Sequence, residues 1–135
     1  MRFLLTLLLS LGLLACEPAP AVRHAHGAFG VFFGGQVQER AEIQVARSRR
    51  PILGFRVEFP ASGSGGHELE YEIIRPGPGS RRLSEQGKAS VPAERLYFDQ
   101  RIELGPDLAY GTWNLRVICD GFAVIDRALL VQPET

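Results

Sequence analysis

Lysine is nearly absent from this chain. Fourteen of its fifteen basic side chains are arginine and only Lys88 is lysine, a skew that reads as genomic composition bias. Neither sign of charge is in excess, since fifteen basic residues face fifteen acidic ones, and a near-neutral domain has no global electrostatic footprint for nucleic acid. Cysteine is limited to Cys16 and Cys119, and histidine to His24, His26 and His67. No C-x-x-C, H-E-x-x-H, G-x-S-x-G or phosphate-binding glycine loop occurs, so the signatures of zinc, redox, hydrolase and nucleotide chemistry are missing. The expectation is a protein that is not an enzyme and needs no cofactor or metal. Helical periodicity is scarce after residue 27. What remains is an ordinary globular balance of 45% hydrophobic and 22% charged residues over 135 positions, enough for one domain with a core.

The first fifteen residues stand apart. Arg2 supplies a positive start, and residues 3–14 form an apolar run broken only by Thr6, Ser10 and Gly12. That is the pattern of an export signal. It is well short of the roughly 20 apolar residues of a spanning helix, and it lacks the polar stripe of an amphipathic core helix. The run closes Leu13-Leu14-Ala15-Cys16. These four residues resemble the bacterial lipobox, although Leu14 is larger than usual at its position. The resemblance implies diacylglyceryl attachment to the Cys16 thiol, cleavage after Ala15 and acylation of the new amine. Several acyl chains make such an anchor effectively permanent, because each buried CH₂ adds about 0.8 kcal/mol. Removing residues 1–15 takes away Arg2 and leaves a net charge of −1. Glu17 rather than Asp follows the cysteine; by analogy with bacterial sorting this favours the outer membrane, facing the periplasm, over the inner membrane. A competing reading uses Ala19-Pro20-Ala21 as an ordinary cleavage site, which would release a soluble periplasmic domain starting at Val22.

Residues 16–26 form a Pro/Ala tether. At about 3.1 Å per residue for a Pro-rich segment, it holds the domain within roughly 30 Å of the lipid. His24 and His26 form a His-x-His pair, but a metal site needs three or four ligands held in geometry. The plain reading is a solvated linker.

Residues 27–133 read as one β-domain. Apolar and polar residues alternate over 54–59, with Phe55, Val57 and Phe59 inward, and over 67–74, with Leu69, Tyr71 and Ile73 inward against Glu68, Glu70 and Glu72. They alternate again over 95–104, with Leu96, Phe98, Ile102 and Leu104 inward, and over 112–119, with Trp113, Leu115, Val117 and Cys119 inward. Each is a half-buried strand with one face on a core. Residues 28–33 and 41–46 are plausible partners, and 122–131 closes the set, its crowded stretch 128–131 suggesting a bulge or burial on both faces. Asp120-Gly121 between two apolar runs is a strong hairpin signal. Residues 61–66, 75–80 and 105–107 carry the Gly, Pro and Ser of loops. About seven short strands so punctuated predict an all-β antiparallel sandwich, with a small barrel as the alternative.

The stretch from Arg95 to Val131 has a further shape. An amphipathic strand leads to Gly111-Thr112-Trp113-Asn114-Leu115-Arg116-Val117, then to the Asp120-Gly121 turn and a last apolar strand. This resembles the closing strands of small uncharacterised bacterial domains with immunoglobulin-like folds, often exported. The resemblance covers about a third of the chain, implies the fold, and brings no functional residues with it.

Three groups of side chains are candidates for chemistry. Cys119 has no partner once Cys16 is acylated, and its place on the Trp113 face reads as a small buried residue; no histidine lies in its strand or the adjacent hairpin to serve as a base. Glu68, Glu70 and Glu72 line one strand face, where like charges protect an edge strand or face a solvated surface. Arg47, Arg49 and Arg50 cluster in one turn, and Arg75, Arg81 and Arg82 flank the proline-glycine loop. If the two loops share one end of the sandwich, they can grip phosphate or carboxylate groups bidentately. The expected partners are therefore the membrane, through the lipid anchor, and an envelope protein or anionic glycan. A small hydrolase or ligand-binding enzyme with a site assembled from scattered residues is the alternative, and a structural spacer is a third.

Overall fold

The computed structural model describes residues 25–46, 48–60, 65–105, 108 and 110–135. Every regular element among them is a strand: β1 (His26–Phe33), β2 (Gln36–Glu39), β3 (Glu42–Val45), β4 (Leu53–Glu58), β5 (His67–Pro76), β6 (Arg82–Val91), β7 (Tyr97–Ile102), β8 (Gly111–Cys119) and β9 (Phe122–Pro133). They build a sandwich of a four-stranded sheet, ordered β2-β1-β4-β7, and a five-stranded sheet, ordered β3-β9-β8-β5-β6. Pairing is antiparallel throughout except that β3 runs parallel to β9. The all-β sandwich read from alternation is the fold observed.

Alternation works here because each sheet turns one face to the other. Trp113, Leu115, Val117 and Cys119 of β8 are all buried, and so are Phe55 and Val57 of β4, Leu69 and Ile73 of β5, and Leu129 and Val131 of β9. They form one continuous core. Burying each large side chain contributes about 1.5–3 kcal/mol. The core also takes in Leu53 and Val91 at strand ends, which the alternation does not single out.

Several expectations need correction. Leu96 is 64% exposed, because it lies in a bend after a turn closed by Arg95 N–H to the Pro92 carbonyl, and β7 starts one residue later. The strand bearing Glu68, Glu70 and Glu72 is interior rather than an edge, lying between β8 and β6. Its carboxylates face β6 in register: Ser90 and Gln86 donate to Glu68 and Glu72, and Lys88 pairs with Glu70 at 3.5 Å. Arg75 and Pro76, read as loop, are the last two residues of β5. The irregularity in β9 is at the opposite end from 128–131, where Val117 pairs with Ile125 and Ile118 with Ala123, leaving Val124 as the extra residue. Along 128–131, Leu129 and Val131 are buried and Leu130 is half-buried, as expected for a strand flanked by both β8 and β3. β1 opens at His26, at the point read as the end of the tether.

The Asp120-Gly121 turn joins β8 to β9 directly, with φ of 50° and 85° and Cys119 opposite Phe122. Positive φ at both central residues matches the right-handed twist of the flanking strands. A different constraint acts on Gly54 in the middle of its sheet. A Cβ there would collide with the Gln100 carbonyl oxygen and the Phe32 ring.

Register fixes two ends of the sandwich. His26, Glu58 and Tyr97 share one end of the first sheet, and His67, Val91 and Cys119 one end of the second. The Phe59 ring stacks on the His67 ring, so these ends coincide. This is the end at which the chain arrives from its N-terminal side.

Candidate functional site

The arginine-bearing loops lie at the opposite end. The segment after β3 starts beyond Val45, which pairs with Pro133; Gly111, Pro76 and Arg82 lie at the same end of the sheet. The two loops thus share one end of the sheet. They do not form one continuous patch, because β3 and β5 are three strands apart, about 14 Å at the usual strand spacing.

The individual arginines have different duties. Arg50 reaches 54 residues along the chain to donate to the carbonyls of Leu104 and Gly105, which ties the loop after β3 to the segment before β8. Arg82 donates to the Thr112 carbonyl at 3.2 Å. Arg75 is half-buried, with its guanidinium 5.8 Å from the centroid of the Trp113 ring. Its Nε and the Trp113 Nε1 are both buried and unpaired among the described residues. Arg49 and Arg81 are exposed, and their guanidinium groups carry no bond to the rest of the described chain. Arg47, Cys16 and His24 lie outside the described residues. Beside the Arg49–Arg50 loop an open groove of about 480 Å³ runs between the two sheets, with Val31, Phe33, Ile43 and Pro51 among its walls.

A second cluster occupies the end where the chain arrives. His67 Nδ1 lies 2.7 Å from Asp120 Oδ2, the Glu68 N–H donates to Asp120 Oδ1 at 2.9 Å, and the Cys119 thiol donates to Oδ2 at 3.6 Å. The His67 ring is held against Phe59, with centroids 4.3 Å apart and planes within 4°. Asp120 is held below the usual carboxylate range, first by the Glu68 N–H and then by His67. Burial, reinforced by the Asp120 charge, pushes the Cys119 thiol up to about 12. A thiol so held is a proton donor and a poor nucleophile. Cys119 is buried, as its strand face predicted. No histidine lies in its own strand or hairpin, but one arrives across strands, since β5 pairs with β8 and sets Leu69 opposite Cys119. Two signals pointed this way: a strand that begins with His67, and an Asp-Gly hairpin directly after a cysteine. What joins them is a pairing between segments 53 residues apart, which strand patterns alone do not specify.

A solved structure has this architecture. A crystal structure of an immunoglobulin-like protein from Pseudomonas aeruginosa superposes with a TM-score of 0.60 over 81% of this chain and 97% of that one, at 17% identity. The fold is immunoglobulin-like. No family model and no curated protein matches the chain at a significant level. Identity this low carries the fold alone, so the immunoglobulin-like module is assigned no activity through its structural neighbour.

Proposed function

We propose that this is an exported, lipid-anchored envelope protein, and that its immunoglobulin-like module holds an anionic partner at the end remote from its anchor. The observation that carries this reading is polarity. The chain joins the module at His26, at one end, and the arginine loops occupy the other. Cys16 would lie about ten residues before that junction, a reach of roughly 30 Å. Strands of 8–12 residues add roughly 30 Å more. The arginine end is thereby carried away from the anchoring lipid, toward envelope material rather than the headgroups of the same bilayer. Nothing among the described residues engages the five-donor forks of Arg49 and Arg81, which suit carboxylate or phosphate groups, and the groove walled by Val31, Phe33, Ile43 and Pro51 offers apolar contact. Binding is favoured over thiol catalysis because Cys119, although close to His67, keeps its proton when no metal is bound.

Two experiments test the reading separately. Intact-mass analysis of membrane and soluble fractions should find acylated Cys16 in the membrane, with Cys16→Ser shifting the protein to the soluble fraction. A wild-type protein that is soluble and begins at Val22 overturns the anchor. Co-sedimentation with isolated anionic envelope polysaccharide should be weakened by combined Arg49→Ser and Arg81→Ser and by added salt. Recovery unchanged by both substitutions overturns the proposed binding end.

A further inference from the structure

The cluster at the tether end has a property that the binding reading does not use. Among the described residues, it is the place where histidine, cysteine and carboxylate ligand atoms converge, all within 4.8 Å of one another. We propose that His67, Cys119 and Asp120 form a three-ligand site for a borderline-soft divalent cation, with zinc the best fit, and that the ion clamps β5 to the β8–β9 hairpin.

The geometry is close to what such an ion requires. Tetrahedral zinc with bonds of about 2.0–2.3 Å places neighbouring ligand atoms about 3.3–3.8 Å apart. The Nδ1 to Oδ2 edge is 2.7 Å, the Sγ to Oδ2 edge is 3.6 Å and the third is no longer than 4.8 Å. Each edge therefore has to change by little more than about 1 Å. The supports are already built. The Glu68 N–H holds Oδ1 of Asp120, which leaves Oδ2 turned toward both the imidazole and the thiol. Phe59 fixes the plane of the His67 ring. Outer contacts of this kind orient the ligands of metal sites. The three ligands come from the start of β5, the end of β8 and the tight turn that follows it.

The donor set selects the ion. Thiolate with imidazole favours zinc and its neighbours over magnesium or calcium, which prefer oxygen. The Asp120 side chain is 45% exposed, so the ion has a route from solvent and keeps water in the fourth position. The protons balance. Starting from His67 with one ring proton, the ion replaces the hydrogen between Nδ1 and Asp120, and that proton moves to Nε2. Asp120 binds as the carboxylate. Cys119 gives its thiol proton to solvent, so from that state one proton is released for each ion bound.

The test uses the full chain with Cys16→Ser, which leaves Cys119 as its one thiol. Metal-free protein is titrated with Co²⁺ and then with Zn²⁺. The expected result is a thiolate-to-cobalt charge-transfer band that saturates at one ion per chain and is abolished by excess Zn²⁺. Cys119→Ser should remove the band. Asp120→Asn, which keeps the oxygen that accepts from Glu68, should weaken Co²⁺ binding at least about tenfold while far-ultraviolet circular dichroism stays that of the parent. No charge-transfer band at excess Co²⁺ overturns the proposal. So does an affinity unchanged in a folded Asp120→Asn protein.

Discussion

Removing the Arg56–Asp99 pair should cost this fold about 2 kcal/mol. The two residues are opposite each other on β4 and β7, on the outer face of the first sheet. Arg56 Nε donates to Oδ1 at 2.6 Å and Nη2 to Oδ2 at 2.8 Å, with side chains 15% and 29% exposed. The guanidinium also lies 4.2 Å from the centroid of the Tyr97 ring and donates to the Gly35 carbonyl at 2.7 Å. The pair thus ties the edge strand β7 and the β1–β2 turn to the centre of the sheet, and the Asp99 bond holds the Arg56 charge more firmly than in free solution. A fully exposed pair is worth about 0.2–1 kcal/mol, and loss of one partner from a fully buried pair costs about 3–5 kcal/mol. A bidentate pair of intermediate exposure lies between these limits. Arg56→Ala should therefore lose about 2 kcal/mol and lower the melting temperature by roughly 10 °C. A double-mutant cycle by urea denaturation with Arg56→Ala, Asp99→Ala and their combination isolates the pair from the Tyr97 and Gly35 contacts. A coupling of about 1–2 kcal/mol is expected. Coupling below about 0.3 kcal/mol, within the scatter of independent sites, refutes the argument that partial burial makes this pair count.

Leu115→Ala, at a fully buried position of β8, should destabilise by about 3 kcal/mol in the same denaturation experiment. Gly54→Ala should cost about 2–3 kcal/mol, because the added methyl meets the backbone oxygen of Gln100 as well as the movable Phe32 ring, and overpacking of this kind strains the backbone. Asp120 titrates below an ordinary carboxylate in the folded chain. Its contribution is therefore fully present above the unfolded value of about 3.9 and is lost as pH falls through the lower folded value. Asp120→Asn should flatten the acid limb of a stability–pH profile. Metal-free Cys119, pushed up to about 12, should resist alkylation at pH 8 in the folded protein and react promptly once urea exposes it, as followed by mass spectrometry.

Seven of the nine strands among the described residues were legible because each buries one face on a single core, and burial writes period two into the sequence. β2 and β6 were not. Their residues, Gln36–Glu39 and Arg82–Val91, are mostly exposed edge positions, where nothing selects for alternating apolar side chains. Their strand character comes from backbone pairing to β1 and β5. Leu96 shows the converse: an apolar residue in phase with a strand is not buried when a turn intervenes.

By itself the sequence determined the sandwich, most of its inward-facing side chains and the Asp-Gly hairpin. All of these follow from local rules: period and the backbone angles a turn demands. Only the tertiary structure decided which segments are neighbours. It set the arginine loops at the end away from the chain's arrival, and it brought His67 to Cys119 and Asp120 across β5 and β8. Strand pairing is settled by how two whole sheets fit face to face, and that fit leaves no mark within any single segment.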